Sequence, residues 1–228
     1  MSFNVLYVTS TSSEAESLKN LKGIVYDAGC YQIAGINIFI LISGIGAIET
    51  AWSLKTWFSL NIKPDLVINA GIAGSFKEDI RIGDVVMPVT DCFADAGIED
   101  GDNFLTLSEA ELADPHEFPY INGILRADSE YTSLMSGILK PVKAITVNSA
   151  SGSESTIRKL VNKFNPDIET MEGATFFYIC SREKIPFLAI RAISNKVEPR
   201  DKSKWDIPSA MKSLSEKIYE VIITLEKR

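Results

Sequence analysis

Polar residues lie within and at the ends of apolar segments of the chain, and their side chains suit a polar ligand. Glu172 lies among apolar neighbours in the segment TMEGA, deeper than Glu169, for which a solvent-exposed or helix-capping role is the alternative. Arg191 lies inside the apolar run FLAIRAIS, so its guanidinium needs an anionic or carbonyl partner. Asn195 follows that run, at the kind of strand end where open α/β sheets bind ligands. These positions predict one edge of a ligand site.

Two glycine-containing segments predict that a ligand approaches the backbone closely. Gly71 and Gly74 flank Ile72 after an apolar strand, so a flat ligand such as a purine can lie against the chain there, with a simple turn as the alternative. The segment SGIG at 43–46 opens a helix, and its N–H groups can face an anion or a ligand hydroxyl or can form a tight turn without a ligand. It lacks the third glycine of a dinucleotide fingerprint, because Glu49 takes that place.

The elements that position these residues follow from the hydrophobic pattern. Short runs rich in Val and Ile alternate with amphipathic segments, which predicts a mostly parallel sheet covered by helices. The predicted strands are 4–8, 36–42, 66–69, 84–88, 144–147 and 187–193. The predicted helices are 13–20, 48–59, 155–164 and 173–184, followed by a last helix whose apolar residues recur every three or four positions between 207 and 225.

Residues 94–136 interrupt this alternation. The segment holds clustered acids in GIEDGDNF, the sequence DPHEFPY and little periodicity, which predicts a long excursion with a hairpin or a short helix. Insertions of this length in a compact domain are often lids or interface segments. His116 lies in this segment, where a solvated loop residue is the simplest interpretation. We expect the 228 residues to form one domain with this irregular insertion.

Composition excludes several classes of protein. The net charge is -7 and the basic residues are scattered, so we expect no nucleic-acid partner. Three cysteines without a close pair supply neither a disulfide framework nor a zinc-ligand pattern. The N-terminus has no basic region, and apolar residues never run for about eighteen positions. These features predict a cytoplasmic protein that does not enter a membrane.

Five segments, SGIGAIETA, INAGIAGSF, IGDVVMP, ETMEGA and RAISN, occur in an order and spacing that resemble the purine nucleoside phosphorylase and nucleosidase superfamily. The match covers most of the chain and is weakest between residues 94 and 136. The resemblance implies an α/β fold with three layers, α/β/α, around a mixed, mostly parallel sheet. It also implies a small-molecule nucleoside substrate, hydrolysis by water, no metal or other cofactor, and a homo-oligomer.

The same resemblance assigns roles to individual residues. Met171 and Glu172 match the pair that binds ribose in this superfamily, with the glutamate accepting hydrogen bonds from sugar hydroxyls. Glu14 is similar in position to the glutamate that orients the attacking water, with Glu16 as the alternative. The segment from Gly71 to Gly74 matches the part that lies beside base and ribose, and the expected place of the base-stacking residues falls at Ala150 and Ser151.

Asn195 departs from the pattern of adenine-releasing nucleosidases, which carry an aspartate at this place. An amide cannot release a proton at neutral pH, but its acceptor and two donors complement the edge of a 6-oxopurine. A site built around such pairing penalises the wrong base. The tail RAISNKVEPRDKSKWDIPSA is most similar to futalosine hydrolases, which release hypoxanthine from futalosine. The resemblance therefore implies a 6-oxopurine nucleoside, with other purine nucleosidases as alternatives.

Several alternatives stay open on the sequence. Asp201 competes with Asn195 for the leaving base, although its lysine and arginine neighbours favour a surface salt bridge, with Trp205 as a packing or lid residue. Phosphorolysis needs a phosphate site built from arginines and backbone amides, and Arg81 is the candidate arginine. A non-catalytic binding protein is the rival from another class. The pocket for the ribose 5′ substituent is expected from residues 94–136 or from a neighbouring subunit.

Overall fold

The fold is seen in a computed structural model that describes residues 3–101 and 103–227. Its strands are β1 (Phe3–Thr9), β2 (Val25–Asp27), β3 (Cys30–Ile33), β4 (Ile36–Ile42), β5 (Leu66–Ser75), β6 (Val85–Asp91), β7 (Gly97–Asp100), β8 (Asn103–Thr106), β9 (Leu125–Arg126), β10 (Lys140–Thr146), β11 (Ile168–Thr170) and β12 (Phe187–Lys196). Its helices are α1 (Ser12–Lys19), α2 (Ala47–Leu60), α3 (Glu130–Met135), α4 (Glu154–Phe164), α5 (Gly173–Glu183) and α6 (Ile207–Glu226), with a short 3₁₀ helix at Lys202–Lys204.

One sheet organises the described chain. Its strand order is β11-β10-β6-β12-β5-β1-β4-β3-β2, with β9 paired to β6. The pairs β1–β4, β1–β5, β5–β12, β6–β10 and β10–β11 are parallel, whereas β2, β3 and β4 form an antiparallel meander at one edge. The predicted α/β fold with a mixed, mostly parallel sheet is confirmed.

Helices cover both faces of this sheet. On one face, Leu18 of α1, Met135 of α3 and the apolar stripe of α6 pack on β1, β5 and β12. On the other face, Leu54 of α2 and Phe176 of α5 pack on the opposite side chains of the same strands. Burial of each large apolar side chain contributes about 1.5–3 kcal/mol. The alternation of strand side chains thus gives each helix layer its own core.

The stripe on α6 has the period that the sequence predicts. Buried residues recur every three or four positions and face the sheet, and they are Ala210, Leu214, Ile218, Val221, Ile222 and Leu225. Asp206 caps the helix by accepting a hydrogen bond from the backbone N–H of Ser209 at 3.0 Å. This start fixes where the helix leaves the loop that follows β12.

β5 continues beyond its predicted end and passes through both glycines. It pairs with β12 as far as Ser75, and Gly74 lies opposite Asn195 on one side. On its other side Gly74 lies opposite Glu169, because β11 runs antiparallel to the end of β5. β11 also pairs with β10, so the sheet curls back on itself there. This closure brings the segment TMEGA, which follows β11, next to the end of β12.

The excursion at 94–136 contains ordered elements that the sequence leaves open. Strands β7 and β8 form a hairpin, β9 pairs with β6, and α3 packs Tyr131 and Met135 into a core of the protein. Much of the excursion surrounds a second cavity of about 480 Å³ against β6, β10 and α4. Among the described residues, no helix is both long and apolar enough to cross a membrane.

Candidate active site

A cavity of about 420 Å³ opens where β1, β5 and β12 end. It is lined by all the predicted site residues except Gly71 and Arg191, namely Glu14, Ile72, Gly74, Ala150, Ser151, Met171, Glu172 and Asn195. No residue of the excursion at 94–136 is part of this lining. The expectation that the excursion supplies a pocket of the site within its own chain is therefore wrong, because much of the excursion surrounds the second cavity instead.

Glu14 is fixed by the turn that begins α1. Thr11 is the N-cap residue and Glu14 is at the third helical position, so the two form a capping box. Oε2 of Glu14 accepts hydrogen bonds from the backbone N–H groups of Thr11 at 2.9 Å and Ser10 at 3.1 Å. Oε1 accepts from the N–H of Ile72 at 3.1 Å. The alternative, Glu16, is exposed and pairs with Lys19, so only Glu14 of the two faces the cavity.

The two glycines of β5 make room for side chains of the protein. A β-carbon added to Gly71 would lie 2.6 Å from Oε1 of Glu14, and one added to Gly74 would lie 2.8 Å from Val197 and 3.2 Å from the amide of Asn195. The first two distances are shorter than real β-carbon contacts, and the third is tighter than most of them. The interpretation that a flat ligand lies against both glycines is corrected for Gly71, which lies behind the Glu14 carboxylate. For Gly74, which lines the cavity beside Asn195, it stays a prediction.

Glu172 connects the predicted ribose segment to the SGIG loop. It is the N-cap residue of α5, and its Oε1 accepts a hydrogen bond from the backbone N–H of Gly46 at 2.8 Å. The loop's N–H group therefore binds a carboxylate of the protein itself. Burial raises the pKa of Glu172, whereas the Gly46 bond and the charge of Arg191 act in the opposite direction. Glu172 remains partly open to the cavity, with 8% of its surface exposed.

Arg191 lies behind the cavity and does not reach it. Its Nη1 donates to the carbonyl of Asn69 at 2.8 Å, and Nη2 donates to the side-chain oxygen of the same residue. Its predicted contact with substrate is thus corrected, since these oxygens are the partners that the buried guanidinium requires. Its charge nevertheless acts on the carboxylates of Glu172, Glu14 and Asp91. Asn69, a polar residue inside an apolar strand, was the sequence signal that the prediction missed.

Asn195 presents part of its amide to the cavity. Its Oδ1 accepts a hydrogen bond from Ser194 Oγ at 2.8 Å, and its Nδ2 donates to the carbonyl of Lys196 at 2.8 Å. These bonds leave one N–H and one oxygen lone pair for a ligand. Its competitor Asp201 is exposed and accepts from the N–H of Ser203 at 3.0 Å. Asp201 thus caps the 3₁₀ helix, and the predicted salt bridge is absent among the described residues.

Glu169 anchors the loop that carries the predicted base-stacking residues. Its two oxygens accept hydrogen bonds from the N–H of Ser151 at 2.8 Å and from Ser151 Oγ at 2.5 Å. The side chain is buried, and burial raises its pKa. Neither of the two roles considered from the sequence, solvent exposure or helix capping, describes it. Glu169 instead holds Ala150 and Ser151 over the cavity.

Asp91 is a buried carboxyl group that was not predicted from the sequence. It ends β6 beneath the start of α5, where a β-carbon at Gly173 would collide with its Oδ2. Thr146 Oγ1 donates to its Oδ1 at 2.9 Å, and the same hydroxyl accepts from the N–H of Ala174 at 2.7 Å. Within the part of the chain that is described, Oδ2 has no hydrogen-bond partner. Burial raises the pKa of Asp91 to about 7.

This cavity combines three nearly buried carboxyl groups, those of Glu14, Glu169 and Glu172, with a half-buried amide at the strand ends of a three-layer α/β fold. The hydrogen-bonding groups of such a set can hold the hydroxyls of a sugar and a nitrogen heterocycle. A family model described as the phosphorylase superfamily matches residues 13–225. The chain belongs to this superfamily.

Sequence relatives carry two names. Over 197 residues the chain is 28% identical to 5′-methylthioadenosine/S-adenosylhomocysteine nucleosidase of Buchnera aphidicola, and over 193 residues it is 29% identical to futalosine hydrolase of Streptomyces coelicolor. Each match covers 82% of this chain and 79% of the relative. The relatives are nucleosidases, so the predicted enzyme class, an N-glycosyl hydrolase, is confirmed. Because the identities to the two relatives are similar, the comparison does not distinguish between their substrates.

Solved structures show the same fold. Futalosine hydrolase of Helicobacter pylori superposes with a TM-score of 0.79 at 16% identity, covering 98% of both chains. The methylthioadenosine/S-adenosylhomocysteine nucleosidase of the same organism, crystallised with a pyrrolidine inhibitor, also gives 0.79 at 16% identity, covering 97% of this chain and 98% of that one. At these identities the likeness concerns the fold.

Proposed function

We propose that the protein hydrolyses the N-glycosidic bond of futalosine and releases hypoxanthine. The observation that carries the proposal is the amide of Asn195 at the end of β12, beside Gly74 and facing the cavity. Its free N–H and lone pair complement the acceptors and the N–H of a 6-oxopurine edge. The relative from Streptomyces coelicolor that bears the name futalosine hydrolase supports this choice.

The proposed reaction proceeds through a cationic sugar. Water held by Glu14 attacks the anomeric carbon, gives a proton to that carboxylate and forms the new C–O bond. The C–N bond breaks at the same carbon, and its electron pair leaves with the base. Hypoxanthine departs as an anion more readily than adenine, so a hydrogen bond from Asn195 can replace full protonation. Such an electrostatic contact is typically worth about 3 kcal/mol.

Glu172 is proposed to bind the ribose hydroxyls and, when ionised, to favour the developing positive charge. Met171 lies beside it in the lining and packs against the sugar. The bond from Gly46 and the charge of Arg191 stabilise the ionised carboxylate against the cost of burial. Because Glu14 also faces this region, Arg191 balances two acidic groups at once. The arrangement concentrates negative charge where the sugar becomes cationic.

Release of adenine from methylthioadenosine-type or aminofutalosine-type nucleosides is the second candidate, and the relative at 28% identity favours it. Phosphorolysis receives less support from the geometry. The lining contains two cationic side chains, Lys196 and Arg200, among the described residues, and the candidate Arg81 is not part of it. Lys196 donates to backbone carbonyls, so it offers little to a phosphate dianion.

One assay tests these alternatives. Purified protein is incubated with futalosine, aminofutalosine, inosine and methylthioadenosine, each with and without phosphate, and the free bases are quantified. We expect hypoxanthine from futalosine without added phosphate. A requirement for phosphate would assign the protein to the phosphorylases, and turnover of adenine nucleosides alone would contradict the assignment of the base.

We also propose that the protein forms a homo-oligomer. Ile45, Ile48 and Trp52 expose 60%, 83% and 73% of their surfaces at the start of α2, and Ile45 lines the cavity. A contiguous apolar surface of this kind typically marks a contact with another chain. Light scattering coupled to gel filtration measures the mass directly. One domain over 1–228 and a cytoplasmic location stay predictions.

A further inference from the structure

One cationic group at the mouth of the cavity has no acidic partner among residues 3–101 and 103–227. The lining contains Lys196 and Arg200 as its described cations, in a cavity that also contains several carboxylates. The Nζ of Lys196 donates to the carbonyls of Lys77 and Ile80. The guanidinium of Arg200, in contrast, forms no hydrogen bond or ion pair with any residue that the structure describes. Its N–H donors are therefore available to a ligand.

The position of Arg200 is nevertheless defined. Its backbone N–H donates to the carbonyl of Gly152 at 3.3 Å, which ties it to the loop of Ala150 and Ser151. Its guanidinium lies over the ring of Trp205, with 5.6 Å between Cζ and the ring centroid. A cation placed on an indole face is attracted by the ring electrons and loses rotational freedom. The pair thus holds a planar donor at the cavity mouth before any ligand binds.

The acids near Arg200 are engaged by other groups. Glu198 pairs with Lys204 at 2.8 Å, and Asp201 accepts hydrogen bonds from the N–H and Oγ of Ser203. Both acids also line the cavity, and within the described chain neither forms an ion pair with the guanidinium. In a chain with a net charge of -7, an unpaired arginine beside a cavity is a feature that an anionic ligand group would explain.

We propose that Arg200, held on Trp205, binds a carboxylate carried by the substituent on the 5′ carbon of the substrate ribose. This inference rests on the proposed function, which assigns the base to Asn195 and the sugar to Glu172 and Glu14. Those three groups are buried or half-buried, whereas Arg200 is exposed at the mouth. The 5′ carbon is the remaining point from which a nucleoside extends, so its substituent is the part that reaches the mouth.

The geometry of the two groups supports this pairing. A guanidinium binds a carboxylate through two parallel N–H···O bonds, which a neutral amide or a thioether cannot reproduce. Trp205, which lies against Arg200, lines the cavity together with Ile207 and Met211, and these side chains offer apolar contact to the connecting chain. A neutral substituent would gain this packing alone. Arg200 therefore separates acidic from neutral 5′ substituents, independently of the base.

A pair of matched substrates tests the proposal. 5′-Deoxy-5′-(3-carboxypropylthio)inosine and its primary amide share base, sugar and chain length and differ in charge. We expect the wild-type protein to prefer the acid by about 10-fold or more in kcat/KM, with the preference reduced by high salt. Arg200→Gln should abolish the preference and leave cleavage of the amide within about 2-fold of wild type. Lys202→Gln, an exposed neighbour with the same change of charge, should keep the preference.

Other outcomes overturn the proposal. Equal kcat/KM for acid and amide in the wild type would show that the protein does not bind the carboxylate. An equal loss on both substrates in Arg200→Gln would indicate a structural role, and a changed ratio of inosine to adenosine cleavage would assign Arg200 to the base. If the wild type cleaves neither these compounds nor futalosine, the proposed function fails. Calorimetric binding of the acid and the amide then still tests Arg200, because its contact does not require turnover.

Discussion

The carboxylate of Glu14 occupies the space that a side chain at position 71 would need. A β-carbon on Gly71 would lie 2.6 Å from Oε1 of Glu14, and that oxygen accepts its hydrogen bond from the N–H of the next residue, Ile72. The first turn of α1 and the middle of β5 thus contact each other at Oε1 of Glu14, the residue proposed to bind the attacking water. Gly71, which lies far along the chain from Glu14, thereby determines where the carboxylate of this proposed general base can lie.

Gly71→Ala should therefore impair catalysis through Glu14. The added methyl group displaces the carboxylate, and loss of a positioned general base typically costs about 10²- to 10⁴-fold. We expect kcat for nucleoside hydrolysis to fall by about 100-fold or more, with a smaller change in KM. The overpacking should also reduce the free energy of unfolding by about 1–3 kcal/mol. Steady-state kinetics and urea denaturation measure the two effects.

Gly137→Ala is the matched control, because an added β-carbon there meets no atom within 4 Å. It should leave both kcat and stability close to wild type. If Gly71→Ala retained kcat within about 2-fold while remaining folded, the position of Glu14 would not matter for turnover, and its role as general base would be rejected.

The fold was predictable because its signals are local or periodic. The stripe on α6 and the strand–helix alternation follow from residue spacing, and they gave the correct layers. The sequence indicated a strand end before Glu172, but β11 received no predicted range because three residues, Ile168–Thr170, are too few to show a period. The extension of β5 through Gly71 and Gly74 was missed because glycine usually ends a strand pattern. Only the pairing with β12 and β11, which is non-local, shows why the strand continues.

The site was predictable to the extent that residue type reveals burial. The sequence placed Glu172 and Asn195 at strand ends, and the structure brings them to one cavity. It could not tell that Arg191 turns towards Asn69 rather than towards the cavity, because both orientations satisfy a buried guanidinium. Asp91 was invisible for a related reason, since its burial depends on Gly173, which lies far along the chain.

Glu172→Gln should separate an enzyme from a binding protein. The glutamine oxygen can still accept the hydrogen bond from Gly46, so the loop and α5 should keep their positions. The charge that favours the cationic sugar is lost, and we expect kcat to fall by about 100-fold or more. Release of the free base, followed by chromatography, measures the effect. Removal of a buried charge should leave the melting temperature unchanged or higher.

The matched control is Glu16→Gln, which changes the same side chain at an exposed position outside the cavity. Its kcat should equal that of the wild type. A wild-type protein with no turnover on any purine nucleoside would instead favour the non-catalytic alternative, and Glu172→Gln would then alter ligand affinity alone.

Asn195→Asp should shift the preference among bases towards adenine. The amide that now donates to the carbonyl of Lys196 at 2.8 Å is replaced by a carboxyl group, whose proton can be given to the leaving base. A protonated acid can donate to N7 of adenine. We expect the ratio of hypoxanthine to adenine release to fall by about 10- to 100-fold, measured as competing kcat/KM values. An unchanged ratio would show that Asn195 does not read the base.

Asp91 makes the stability of the protein depend on pH. Burial raises its pKa from 3.8 to about 7, so the folded protein keeps a proton that the unfolded chain loses at lower pH. Below about pH 4 both states hold the proton and there is no cost. Between about pH 4 and 7 the unfolded state binds fewer protons, and the free energy of unfolding falls as pH rises. Above about pH 7 the folded and unfolded states are both ionised at Asp91, and the free energy of unfolding has fallen by its full amount.

Asp91→Asn removes this dependence, because the amide is neutral at every pH and its oxygen can still accept from Thr146. The difference in free energy of unfolding, variant minus wild type, should rise between about pH 4 and 7 by on the order of 3–4 kcal/mol and then level off. Urea denaturation across this range measures it. Asp79→Asn is the control. In the wild type, the hydrogen bond from Lys140 lowers the pKa of the exposed Asp79. The difference in free energy of unfolding for this variant should therefore change little with pH, and in the opposite direction. A flat difference for Asp91→Asn would mean that Asp91 is ionised throughout in the folded protein.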